Sequence, residues 1–177
     1  METEFRRRPR RALAGALAAL ALVATACGSD GDDTRTVTAE DYSFEDLPAR
    51  VDAGTTFKLT NDSDKELHEM VMFRIPDNER RSVEELIRLP EDQMGAVFAG
   101  EPAMVLIAPP SGADQIIALG TGELTQPGRY AVVCFIPTGA DPGAYLAAAQ
   151  SGGEGPPDIP GGPPHAFSGM FGQVIVE

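Results

Sequence analysis

Glycine and proline interrupt this chain so often that long regular elements do not fit. There are 19 glycines and 15 prolines in 177 residues, and each favours a turn, an element end or an edge. A helical bundle is therefore excluded, and what lies between the breaks is short and β-rich. Thr36 to Phe44 and Phe57-Lys58-Leu59-Thr60 read as strands, separated by breaks at Leu47-Pro48 and Gly54, and Asn61-Asp62-Ser63-Asp64 is a turn cluster. His68 to Ile75 (HEMVMFRI) is a strand too apolar in its middle to leave a face in water, so it belongs inside. Ser82-Val83-Glu84-Glu85 sets a serine at an N-cap with a glutamate three residues on, a capping box that opens a short helix to about Leu89, before Pro90. Strands follow near Met104 to Ala108 and Gln115 to Leu119. Arg129 to Phe135 is another, with Tyr130, Val132 and Cys134 on one side, and Phe171 to Glu177 is the last. No internal repeat is present, and short strands with turn signals between them argue an all-β sandwich.

The first segment reads as an address. Arg6, Arg7, Arg8, Arg10 and Arg11 precede an uncharged run from Ala12 to Ala26, 15 residues long and too short to span a bilayer comfortably. Its small residues end at a cysteine in Leu22-Val23-Ala24-Thr25-Ala26-Cys27-Gly28-Ser29-Asp30, which resembles a bacterial lipoprotein lipobox. That resemblance implies a signal peptide over 1–26 and acylation of Cys27, with chains such as palmitate holding the protein at the outer, extracytoplasmic face of the cell membrane. Residues 27–35 then read as an acidic tether and 36–177 as the domain.

Charge narrows the partners. The chain has 14 basic and 27 acidic residues, a net of −13, and removal of 1–26 leaves 9 against 25, a net of −16. A polyanion would be repelled, so nucleic acid is excluded as a partner. Basic residues cannot hold such a domain to an anionic membrane either, and attachment would rest on acyl chains at ~0.8 kcal/mol per buried CH₂.

Cys27 and Cys134 are the only cysteines. A lipidated Cys27 cannot form a disulfide, which leaves Cys134 as an intermolecular partner, a reactive thiol, a metal ligand or a buried small hydrophobe. Its neighbours in chemistry are the only two histidines, His68 and His165, and Met170 five residues beyond the second. Two imidazoles, a thiolate and a thioether are the ligand set of a type 1 (blue) copper centre. A thioether is a poor Zn²⁺ ligand.

At these residues the chain resembles the cupredoxins, plastocyanin-like proteins in particular. Asn61, His68, Val71 and Phe73 are similar to the family's strand of an Asn, a spacer and a first copper His. Gly128-Arg129-Tyr130-Ala131-Val132-Val133-Cys134 is similar to its Gly-x-Tyr…Cys strand, and Pro164-His165 through Gly169-Met170 and Gly172-Gln173-Val174 to its ending. The resemblance implies a Greek-key β-sandwich with one copper ion near one end, held by His68, Cys134, His165 and Met170, and one-electron transfer or copper handling by a monomer with a redox protein as partner. Met70 and Met72 share the His68 face and are expected to be core, while Glu69 points to the opposite face.

One departure stands out. Cys134 and His165 are 31 residues apart where the family has a few, because a Gly/Pro-rich stretch over 138–163 intervenes, with 7 Gly and 5 Pro in 26 residues. It reads as an inserted loop, broken only by a short helical piece at Tyr145 to Gln150. Extending the closure tenfold costs roughly 2 kcal/mol, against about 10 kcal/mol that a structural metal site can contribute. If the two ligands share a metal, Pro137 and Pro164 must lie close together. No GxSxG, HExxH, P-loop or GxGxxG pattern occurs, so the chain is expected not to be an enzyme. The other reading is a metal-free cupredoxin-like binding module on the same anchor, with Cys134 packed as a hydrophobe.

Overall fold

The computed structural model describes residues 33–151 and 157–177. The signal segment, Cys27 and most of the tether lie outside the described residues. Among the described residues ten strands form two facing sheets. The smaller has the order β2 (Ser43–Glu45), β1 (Thr34–Glu40), β4 (Thr55–Asn61), β8 (Glu123–Leu124). The larger has the order β3 (Arg50–Val51), β10 (Phe171–Val176), β9 (Gly128–Val133), β5 (His68–Arg74), β6 (Met104–Ala108), β7 (Ile116–Leu119). Pairing is antiparallel except for β1 with β4 and β3 with β10. The chain changes sheet repeatedly, as the expected sandwich requires.

Alternation explains the core. In β4 Thr55, Phe57, Leu59 and Asn61 are buried while Lys58 and Thr60 are exposed. The inward row meets Val37 and Ala39 of β1 and, from the larger sheet, Met70, Met72, Leu106, Tyr130 and Val132. Met70 and Met72 are thus core, as expected. The apolar run of β5 is buried on both faces because the larger sheet has a second cover. Helix α1 (Val83–Ile87) sets Val83, Leu86 and Ile87 against Ala131 and Val133 on the outer face. Its capping box forms as read: the Ser82 hydroxyl accepts the Glu85 N–H, and the Glu85 carboxylate accepts the Ser82 N–H.

Several boundaries differ from the sequence reading. Strand β1 starts at Thr34, two residues inside the expected tether, and just before it the Asp33 carbonyl accepts Thr56 N–H (2.9 Å) and its carboxylate accepts the Thr55 hydroxyl (2.8 Å). Thr36 to Phe44 is two strands, turned at Asp41-Tyr42, where Tyr42 takes φ 70°. Helix α2 (Glu91–Val97) follows Pro90 directly. That proline had read only as a stop, yet a proline also suits the start of a new helix, and Glu91 and Asp92 favour its positive end. Among the described residues no helix is long and apolar enough to cross a membrane.

The stretch 138–163 is more ordered than a plain loop. Pro137 and Pro164 form an isolated antiparallel bridge, as a shared site demands. Thr138 N–H donates to the Pro163 carbonyl (3.1 Å) and Gly162 N–H to the Thr138 carbonyl (2.8 Å). Gly161 is required at this closure, since a Cβ there would stand 2.6 Å from the Cβ of Pro137. Between these ends α3 (Pro142–Gln150) is capped by the Asp141 carboxylate on Ala144 N–H (2.7 Å), and its Tyr145 is only 2 % exposed. Residues 152–156 of the same stretch lie outside the described residues.

If α1 closes a second core layer, Leu86→Ala should cost about 2–5 kcal/mol and Ser82→Ala about 1 kcal/mol. Urea unfolding of both variants checks this, and a near-neutral Leu86→Ala would show that α1 is only draped over the sheet.

Candidate metal centre

Three neighbouring strands of the larger sheet bring the chemistry to one end. His68 opens β5, Cys134 directly follows β9, and Met170 directly precedes β10. The pairing Val71↔Val133 carries on to set Cys134 beside Met70 and Phe135 beside Glu69, and Phe171↔Val133 sets Met170 beside Cys134. The Cys134 N–H donates to the Met170 carbonyl at 3.2 Å.

His165 comes from a one-turn 3₁₀ helix, His165–Ser168, tied to the end of β9. Its N–H donates to Ile136 O (3.0 Å), Ala166 N–H to Cys134 O (2.9 Å), and Met170 N–H to His165 O (3.2 Å). Gly169 at φ 116° turns the chain back into β10, a conformation that a side chain rarely adopts. On the other side, Asn61 shapes the turn before His68. Its amide donates to Glu66 O (2.9 Å) and Ala108 O (2.8 Å), and its carbonyl accepts Ser63 N–H (2.8 Å).

The result is a compact donor group. His68 Nδ1 lies 3.2 Å from His165 Nδ1, and His165 Nδ1 lies 3.4 Å from Cys134 Sγ. The candidate ligand atoms of these three residues are all within 4.8 Å of one another, and each residue is 0 % exposed. Glu69 N–H points at Cys134 Sγ, 3.5 Å away. Both Nε2 atoms are buried without a hydrogen-bond partner; that of His165 lies 3.3 Å from Glu66 Oε2 but is not aligned with it.

Burial, and then His165 beside it, push His68 down to about 4. His165 is also lowered, by burial against the opposing pull of Glu66. Burial, then the Glu69 charge, pushes the Cys134 thiol up. Near neutral pH the metal-free group is thus two neutral imidazoles and a protonated thiol.

The donor set fits a type 1 copper ion. Metal bonds of about 2.0–2.3 Å to imidazole and thiolate separate neighbouring ligand atoms by roughly 3–4 Å, and two of the three pairs here already stand at 3.2 and 3.4 Å. Without a cation the two Nδ1 atoms and the thiol have chiefly each other as partners. Met170 is fully buried at the same strand ends. Zinc, by contrast, prefers a fourth donor harder than a thioether.

Three features of the site were not read from the sequence. The Tyr42 ring stands edge-on to His165, with centroids 5.1 Å apart. Glu66, in the turn before His68, accepts Gly139 N–H at 3.0 Å and so ties that turn to the base of the 138–163 stretch. Glu69 is 4 % exposed; its carboxylate accepts Phe135 N–H (3.1 Å) and the Tyr145 hydroxyl (3.0 Å). A carboxylate inside so apolar a strand was the one available signal, but its partner is 76 residues away.

Burial raises Glu69 to about 7 against the opposing effect of its hydrogen bonds. The folded protein therefore binds a proton that the unfolded chain releases near 4.5. Its stabilising share is whole below about 4.5 and is lost as pH rises through about 7. Glu69→Gln removes that loss, so the thermal midpoint of the metal-free variant relative to wild type should improve from pH 5 to pH 8. A difference independent of pH would show that Glu69 is ionised in the fold.

No family model matches the chain, and no significant match is found among curated proteins. Among solved structures it is similar to dithionite-reduced auracyanin from the photosynthetic bacterium Roseiflexus castenholzii, at 17 % identity and TM-score 0.46, over 82 % of this chain and 97 % of that one. It is similar to auracyanin A, a blue copper protein of Chloroflexus aurantiacus, at 13 % identity and TM-score 0.43, over 81 % and 98 %. A chain of a heme-copper terminal oxidase dimer matches at 15 % identity and TM-score 0.33, over 84 % of this chain and 67 % of that one.

Proposed function

We propose that this chain is a type 1 copper protein that carries single electrons outside the cytoplasm, anchored to the membrane through Cys27. The convergence of His68 Nδ1, His165 Nδ1 and Cys134 Sγ in a buried group carries the reading. Bound copper would supply one-electron chemistry, with His68, Cys134 and His165 as its strong ligands and Met170 as a weak axial one. The chain's own part is to hold these donors still and dry. His68 and Cys134 stand on paired strands or directly at their ends, and the His165 turn is pinned by backbone hydrogen bonds to the carbonyls of Cys134 and Ile136. Sites that do not rearrange between oxidation states exchange electrons with little reorganisation. All three side chains are shut off from water, which supports outer-sphere electron exchange over chemistry that needs an open position. The protein is on this reading a carrier and not an enzyme, and its partner is a redox protein. The anchor rests on the sequence of Arg6 to Cys27 and on the acidic surface, which gives no electrostatic route to a membrane.

Cu²⁺ should bind one to one and give an intense thiolate-to-copper band in the visible. Cys134→Ser should abolish the band, His68→Ala and His165→Ala should weaken affinity strongly, and Met170→Leu should chiefly change the reduction potential. A folded protein that stays colourless with Cu²⁺ would leave the metal-free module as the reading. Cys27→Ala should release the protein from membranes, and a wild-type protein already cleaved elsewhere and soluble would remove the anchor.

A further inference from the structure

The bridge between Pro137 and Pro164 already closes the connection between Cys134 and His165, yet α3 beyond it delivers a side chain to Glu69, the residue after His68. Tyr145, on α3, is 2 % exposed, and its hydroxyl donates to Glu69 Oε2 at 3.0 Å. The other oxygen of the same carboxylate accepts Phe135 N–H at 3.1 Å, and the backbone N–H of Glu69 points at Cys134 Sγ, 3.5 Å away. Glu69 is thus fastened at both ends to the Cys134-Phe135 segment while its own neighbour is His68.

Packing alone does not explain this arrangement. A buried tyrosine could find a backbone carbonyl, and a strand interior has no need of a carboxylate, which is hard to bury unless its oxygens are paired. Here each oxygen has one partner, and both partners lead to the donor group or its enclosing segment. Leu146 and Ile159 of the same stretch supply the apolar contact separately.

We infer that Tyr145 and Glu69 are positioning residues, a clamp from the 138–163 stretch that fixes Cys134 and His68 relative to each other for the metal. The inference rests on the copper reading for its purpose but concerns geometry that the metal-free chain already has. Neither residue is a ligand. Groups that orient metal ligands typically contribute 10–100-fold to affinity, so loss of the clamp should loosen the thiol well before it unfolds the sandwich.

The test reads the Cys134 thiol of the metal-free full chain, followed on its own peptide so that Cys27 does not contribute. Its alkylation by iodoacetamide is slow in wild type because Cys134 is fully buried. Tyr145→Phe should accelerate it about tenfold and Glu69→Ala at least as much. Glu69→Gln should stay near wild type, since an amide can still accept from Phe135 N–H and donate to the tyrosine oxygen. Ile159→Ala, which trims the apolar contact and spares the hydrogen bonds, is the control; it should lower the thermal midpoint and leave the rate nearly unchanged. Should Glu69→Ala fail to fold, Tyr145→Phe and Glu69→Gln still decide the matter. A wild-type rate in folded Tyr145→Phe, or equal acceleration in Ile159→Ala, overturns the clamp. Copper is read separately, as the rate of Cu²⁺ loss to a chelator, expected to rise about tenfold in Tyr145→Phe. If wild type takes up no Cu²⁺ while the thiol rates respond as stated, the clamp stands and the copper reading falls. If Cu²⁺ binds and leaves both proteins alike, with alkylation also alike, the clamp falls and the copper reading stands.

Discussion

The register of β5 against β9 decides everything at the metal end. Val71 opposite Val133 puts the end of β9 beside the start of β5, with His68, Met70 and Met72 on the core side of β5. Because strand side chains alternate, a slip of one residue would turn His68 or Cys134 to the outer face and scatter the donors. Two-sided burial fixes the register. Met70, Met72 and Val132 are held in the sandwich, and Ala131 and Val133 lie under α1 on the other side. A sheet with one wet face would tolerate the slip more readily, so the small helix on the outer face serves the site by fixing the register.

Electrostatics sets a second condition. The chain is strongly acidic outside, yet the metal-free donor group is neutral, since burial holds both imidazoles unprotonated and the thiol protonated. Charge enters only with a cation, and the Cys134 proton must leave when it does. The same dryness that makes the free thiolate unfavourable strengthens its attraction to a metal. Glu69 belongs to this balance, because its carboxyl is also held protonated to about pH 7 by burial, and an ionised carboxylate beside the thiol would oppose loss of the thiol proton.

Scarcity made the donor group legible in the sequence. With only two histidines and, besides Cys27, one cysteine in the chain, few arrangements were open, and strand alternation separated Met70 and Met72 from Glu69. The capping box at Ser82 was legible because both of its hydrogen bonds are local. Features that depend on distant partners were not. Nothing near Tyr145 signals that its hydroxyl meets a residue 76 positions earlier, and nothing near Tyr42 signals a positive φ or an approach to His165. Helix α2 was missed for a different reason: none of its residues is buried, so it leaves no apolar periodicity to read.

A long connection between two donor residues should loosen their arrangement, and the structure shows why this one need not. The extra closure costs roughly 2 kcal/mol of chain entropy. Burial of one large side chain such as Tyr145 returns about 1.5–3 kcal/mol, and the bonds at Thr138 and Gly162 close the base of the stretch before α3 begins. Cys134 and His165 therefore experience a short connection, from Pro137 across to Pro164, with α3 lying beyond that bridge. What separates this stretch from a tolerated insertion is where its apolar anchor lands. Tyr145 reaches inward to the residue that joins His68 to Cys134 instead of outward to solvent, so length that would otherwise cost rigidity at the donor group supplies a further constraint on it.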